Sequence, residues 1–248
     1  MKAYYDAHES AYREIQRNGF VGWGDVRSLE DLGDAVTRDF LTWVRSVHFA
    51  ESAGATALDL GCGTGTTAFV LAQLGFVTSG VDISSTAIAM AKDLAQRQRL
   101  QIDFRQADIL RLEDLAASFD LVYDSHCLHC IVFDEDRARV LSGVRSVLAP
   151  GGKFVLDTMI HREGYDLSAG FETLRLDADG ILWHKTAEPE VRGVVKVDGQ
   201  LWCAQRRVRT REQMLAELKT AGFKAITDYE PPERSDDAGM LRLVLTAE

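Results

Sequence analysis

The densest run of chemically capable side chains in the chain is DSHCLHC, Asp124 to Cys130, which holds a carboxylate, two imidazoles and two thiols. An imidazole titrates near neutral pH, so His126 is the first candidate for a general base and His129 the second. Cys127 and Cys130 have CxxC spacing beside His126, yet no second ligand pair follows and Cys62 and Cys203 stand alone, so no metal is expected. A second run, ALDLGCGTGTTAF from Ala57 to Phe69, sets Gly61, Gly63 and Gly65 at alternate positions behind Asp59. A backbone that bare lets a ligand approach closely. Gly63, Gly65 and Ala68 also satisfy the GxGxxA pattern of dinucleotide turns, so the glycines alone leave two classes of nucleotide ligand open. The carboxylate separates them: ahead of the turn it would repel a pyrophosphate, whereas it suits a ligand carrying an ammonium and a sulfonium.

These residues need elements to position them. ATALD (Ala55 to Asp59) reads as a short strand entering the glycine turn, and TTAFVLAQLG (Thr66 to Gly75) as the helix leaving it, stopped by Gly75. FVTSGVD (Phe76 to Asp82) is a second strand, followed by a helix from Ser84 to Gln98 whose leading serines suit an N-cap. Further strands are expected at Gln101 to Asp108, Phe119 to Asp124 and Lys153 to Met159, with an amphipathic helix from Asp134 to Leu148 ahead of APGG. Such alternation implies a parallel sheet with helices on both faces. A helix from Thr210 to Ala221, opened by a Thr210 and Gln213 capping box, and strands near Lys224 to Tyr229 and Leu241 to Thr246 close the chain. Two segments fall outside this pattern. Residues 1–50 read as two helices, the second opened by Ser28 and Asp31, and residues 160–205 are irregular and aromatic, with a hairpin turning at Asp198 and Gly199.

LDLGCGTG resembles the DxGxGxG signature of the class I S-adenosylmethionine-dependent methyltransferases, and VDIS, QADIL, FDLVYDSHCLHCIV and VLAPGGKFVL follow in that family's order. The resemblance covers roughly residues 55–159 and the closing strands. It implies an α/β, Rossmann-like doubly wound sheet of seven strands, mostly parallel with the last antiparallel; the N-terminal helices and the insertion after the fifth strand lie outside the resemblance. It further implies S-adenosyl-L-methionine as cofactor. Asp59, Gly61, Gly63 and Gly65 would wrap its methionine portion and Asp82 its ribose hydroxyls. Ile83 would pack on the adenine, Asp108 and Ile109 would meet its amino edge, and Asp124 would stand at the fourth strand end beside the cofactor. The family's DNA, RNA and protein-amide enzymes often carry Asn-Pro-Pro-aromatic where this chain has DSHC, so the expected acceptor is a small molecule.

The acceptor's walls are expected from residues 1–50, a helical cap, and from 160–205, a substrate lid, both attached to a core spanning 51–248. Tyr4, Tyr5, Tyr12 and Trp23 are the candidates in the cap, and Tyr165, Phe171, Trp183, His184 and Trp202 in the insertion. QRRVRTR (Gln205 to Arg211) is the only basic cluster; in an extended segment Arg207, Arg209 and Arg211 would share a face able to anchor an acidic group. With 38 acidic against 28 basic residues and a net charge of −10, nucleic acid is a disfavoured partner. The N-terminus lacks a signal-peptide core, no apolar run approaches a membrane span, and four cysteines in 248 residues are too sparse for a disulfide framework. A cytoplasmic location without membrane contact is the expectation. Two rivals stand beside the methyltransferase: a nicotinamide-dependent oxidoreductase, and a non-catalytic module that only binds S-adenosylmethionine.

Overall fold

Strands that bury both faces are written as unbroken apolar runs, and this chain's central strands are of that kind. The computed structural model describes residues 3–24, 26–27, 35–161, 164, 166–230 and 239–248. Helices α1 (Ala7–Arg17) and α2 (Ala35–His48) lead, and then strand and helix alternate. The order is β1 (Thr56–Leu60), α3 (Thr66–Gln73), β2 (Val77–Asp82), α4 (Ser85–Gln98), β3 (Ile102–Gln106), β4 (Phe119–Ser125), α5 (Asp134–Val147) and β5 (Leu148–Met159). After an insertion built from β6 (Leu174–Leu176), β7 (Ile181–Lys185), β8 (Val194–Val197) and β9 (Gln200–Arg207), the chain ends with α6 (Arg211–Thr220), β10 (Phe223–Asp228) and β11 (Met240–Ala247).

The main sheet has seven strands in the order β10-β11-β5-β4-β1-β2-β3. Only β11 runs antiparallel to its neighbours, β5 and β10. Side chains alternate across each strand. Leu58, Leu60, Val122, Leu156 and Leu243 therefore face one layer with α5 and α6, while Ala57, Leu121, Tyr123, Val155 and Val244 face the other with α2 and α3. Helix α2 thus belongs to the sheet core through Phe40, Leu41 and Val44, and only α1, which packs on α4, lies near the glycine turn. The capping pair expected at Ser28 and Asp31 falls outside the described residues. Ser84 caps α4 by accepting the Ala87 amide at 3.0 Å, and the Thr210 and Gln213 box is formed in both directions.

The insertion differs from the expected irregular segment. It is a second, four-stranded antiparallel sheet of order β6-β7-β9-β8, in which the expected hairpin is β8 and β9. Asp198 (φ 49°) and Gly199 (φ 80°) make its turn in the left-handed region that two-residue hairpins demand. The extra strands, β6 and β7, are joined by a turn clipped from within: Asp177 accepts the Asp179 and Ile181 amides at 3.0 and 2.8 Å and the Trp183 indole N–H at 2.7 Å. Among the described residues, no helix is long and apolar enough to cross a membrane.

Candidate functional site

The sheet's winding reverses between β1 and β4, and the crevice beyond those strand ends is where open α/β sheets hold ligands. Three acidic residues end the strands there: Asp59 on β1, Asp82 on β2 and Asp124 on β4, all buried. Gly61, Gly63 and Gly65 follow β1 with φ of 62°, 54° and 92°, all left-handed. A Cβ on Gly61 would meet the Cys127 thiol, one on Gly63 the Tyr12 hydroxyl and one on Gly65 the Phe104 ring, so side chains are excluded from the turn on two grounds. Asp82 fixes the turn with both oxygens, accepting the Gly63 amide at 2.9 Å and the Ser84 amide at 2.8 Å. Asp59 is less satisfied. One contact is the Ala68 amide, its Oδ2 is buried without a partner, and burial together with the Asp124 and Asp82 charges holds its carboxyl well above the usual range. Ile83 is half-buried just past β2, Ile109 is buried, and Asp108 caps the turn that Ile109 begins by accepting the Leu110 amide at 2.9 Å.

The DSHCLHC segment leaves β4 and enters a short 3-10 turn, Leu128–Cys130, gripped from both sides. Asp124 Oδ1 accepts the Cys127 and Leu128 amides at 3.1 and 3.2 Å. Arg137, fully buried on α5, donates to the Leu128 and Ile131 carbonyls at 2.7 and 2.9 Å while its other nitrogens hold Glu217 bidentately. Burial, opposed by those two amides, pushes the Asp124 carboxyl up to about 7, and its Oδ2 has no partner. The two histidines separate sharply. His129 is buried, its Nδ1 accepts the Met159 amide at 3.3 Å, and burial reinforced by the Arg206 charge keeps its imidazole neutral. His126 is exposed at the strand end with φ 62°, a left-handed conformation that costs a non-glycine residue about 1 kcal/mol or more, and its amide is held by the Asp157 carbonyl at 2.9 Å. All four cysteines are free thiols, and among the described residues no set of three His, Cys, Asp or Glu converges as a metal would need.

The cap and insertion residues divide between wall and scaffold. Tyr12 is buried on the glycine turn, and its hydroxyl accepts the indole N–H of Trp23, itself 55% exposed, at 2.8 Å. Glu9, also on α1, accepts the Ser84 and Thr86 hydroxyls at 2.6 and 2.7 Å, at the N-terminus of α4. Its burial opposes ionisation, but the bonds from Ser84, Thr86 and Arg13 prevail and hold its carboxyl at about 2. Tyr4 does not line the crevice by its hydroxyl, which accepts the Val132 amide at 3.1 Å and donates to Asp136 at 3.3 Å, while Tyr5, half-buried, packs edge-on against its ring. Trp183 is likewise consumed, in the cluster of Tyr4, Val132, Cys203 and Ala204. Phe171 is exposed, and Tyr165 lies outside the described residues. Of the expected arginine face, Arg207 and Arg209 share Asp134 at 3.4 and 2.6 Å, whereas Arg211 opens α6 and pairs with Asp228. Glu9 lies in no motif and escaped the sequence reading, and Arg206, although inside QRRVRTR, fell off the face on which Arg207, Arg209 and Arg211 were placed.

Residues 57–152 match the family model described as a methyltransferase domain, which begins in β1 and ends in β5 and so contains the glycine turn and the DSHCLHC turn. This part of the chain is similar to a methyltransferase domain. A ubiquinone biosynthesis O-methyltransferase of Coxiella burnetii is 33% identical over 106 residues, 43% of this chain and 44% of that protein. One from Nitrosococcus oceani is 32% identical over 137 residues, 55% of this chain and 54% of its own length. The chain thus spans about half the length of the curated relatives it matches. Among solved structures, an S-adenosylmethionine-dependent methyltransferase from Clostridium acetobutylicum superposes with a TM-score of 0.64 at 18% identity, covering 98% of both chains. The fold of that structure therefore extends beyond the matched domain to the closing strands of this chain.

Proposed function

We propose that the chain is an S-adenosylmethionine-dependent methyltransferase acting on a small-molecule acceptor. The observation that carries this is Asp59: a buried carboxylate with an unpartnered oxygen, placed at the head of a glycine turn whose backbone is otherwise bare. A buried acceptor in that state calls for a cationic donor, and an ammonium supplies one. Asp59 and the glycines would hold the methionine portion, Asp82 the ribose hydroxyls, and Ile83, Asp108 and Ile109 the adenine. When bound, S-adenosylmethionine supplies an electrophilic methyl on a positively charged sulfur. Alignment and exclusion of water are the chain's tasks in such a displacement. The gripped 124–130 turn provides alignment, and α1 and the second sheet provide cover. His126 removes the proton from an acceptor that begins protonated; a left-handed histidine, where glycine would be unstrained, supports a role for the side chain. His129 holds the end of β5 as a neutral imidazole.

The curated relatives are named as O-methyltransferases, which makes hydroxyl acceptors the first class to test. The four free thiols suit a reducing, cytoplasmic setting. Titration calorimetry should show S-adenosylmethionine and its demethylated product binding, with NADH far weaker. Tighter NADH binding would replace this reading with an oxidoreductase. Normal cofactor binding without methylated product from any acceptor would leave a binding module.

A further inference from the structure

Among the basic residues at the end of β9, Arg206 stands apart. Arg207 and Arg209 share the single carboxylate of Asp134, and Arg209 also meets Glu217 at 3.1 Å. Among the described residues Arg206 has no hydrogen-bond or ion-pair partner, although it is only partly exposed and the chain holds 38 acidic against 28 basic residues. A half-buried guanidinium gives up hydration, and with so many carboxylates available its lack of one invites a partner from outside the protein. Its placement is specific. Strand β9 packs on the 128–130 turn that carries His129 and Cys130, and on the 4–6 turn that precedes α1. The Arg206 charge is felt at His8, His129 and Cys130, where it favours the neutral imidazoles and the thiolate, as a nearby cation must.

We infer that Arg206 anchors a carboxylate on the methyl acceptor, which makes the substrate class carboxylic acids bearing a nucleophilic hydroxyl, amine or thiol. This rests on the methyltransferase reading above. One permanent cation flanked by neutral imidazoles matches a monoanion, and a planar guanidinium matches a carboxylate in two parallel hydrogen bonds. The anchor would also orient the acceptor toward His126, because β9 packs on the 128–130 turn and the His129 ring on that turn lies 5.8 Å from the His126 ring.

The test uses labelled S-adenosylmethionine with the full chain and a library of hydroxy, amino and thiol carboxylic acids, aromatic and aliphatic, each beside its primary amide. Label should enter acids and spare the matching amides. Arg206→Gln should raise KM for a labelled acid by about ten- to a hundredfold with a smaller change in kcat, and Arg206→Lys should fall between. Calorimetry on the same variants should show unchanged S-adenosylmethionine affinity, which reports an intact fold. Equal labelling of amides, an unchanged KM in Arg206→Gln, or no labelled acid from a protein that binds S-adenosylmethionine would each overturn the anchor. Failure of the parent protein to bind S-adenosylmethionine would overturn the methyltransferase reading instead.

Discussion

Asp124→Asn separates the carboxylate's structural task from the cost of its charge. Folding moves the Asp124 carboxyl from 3.8 to about 7, chiefly by burial. A raised acid pKa means that the folded state binds the proton more tightly, so this stabilisation is complete below about pH 4 and lost as pH climbs through about 7. The shift corresponds to about 4 kcal/mol in all, since one unit is about 1.4 kcal/mol. Asparagine keeps an Oδ1 to accept the Cys127 and Leu128 amides and cannot ionise. Urea unfolding of parent and variant without ligand should therefore diverge with pH. Between about pH 5 and 7 the variant should gain about 2 to 3 kcal/mol relative to the parent, with little further change by about pH 8. An offset added to that pH-dependent change would mean only that asparagine also packs differently. A difference that stays flat across this range would refute the assignment of a destabilising charge to Asp124.

Asp82→Ala should weaken S-adenosylmethionine binding by about tenfold or more in calorimetry, because it removes an acceptor and frees the Gly63 and Ser84 amides. Gly61→Ala should abolish binding and lower the melting temperature; adding Cys127→Gly should restore part of the stability by removing the clash, leaving the cost of the positive φ. His126→Asn suits the left-handed backbone, so it should fold and bind cofactor normally while the chemical rate falls by about 10² to 10⁴; unchanged turnover with an unchanged pH profile would remove His126 as the base. Limited proteolysis should show residues 3–24 and the second sheet protected when S-adenosylmethionine is added, and unchanged cleavage despite proven binding would mean that neither segment closes over the crevice.

The main sheet was legible because its rules are local. β1 to β5 are each followed by a turn or cap, and their observed limits lie within two residues of those read from the residues except at β5, which begins at Leu148 and takes in APGG instead of starting at Lys153. Ser84, Thr210 with Gln213, and Asp198-Gly199 were legible for the same reason, since each acts within three residues of itself. The pair β6 and β7 was not, because a three-residue strand carries little periodicity and its turn depends on Asp177 reaching the Trp183 indole. The arginines show the limit most clearly. Alternation along QRRVRTR put Arg207, Arg209 and Arg211 on one face, but α6 begins at Arg211 and redirects it. A bulge also leaves Gln205 without a partner on β7, so the alternation breaks one residue before Arg206. No rule based on spacing singles out Arg206 from its neighbours.

Asp59, Asp82 and Asp124 form a row at adjacent strand ends, and their differing support explains where a ligand should act. Asp82 and Asp124 each take two amides, so their negative charge is partly answered by the protein itself. Asp59 and Asp124 each keep an oxygen without a partner, but Asp59 has only the Ala68 amide against burial, and both other carboxylates add to its burden. Electrostatic strain is therefore concentrated at the head of the glycine turn. A cation there would favour the ionised forms and return stability in proportion to its affinity. An anionic pyrophosphate in the same place would raise the cost at all three carboxylates, which is why the charge of this row, more than the spacing of its glycines, discriminates between the two nucleotide classes.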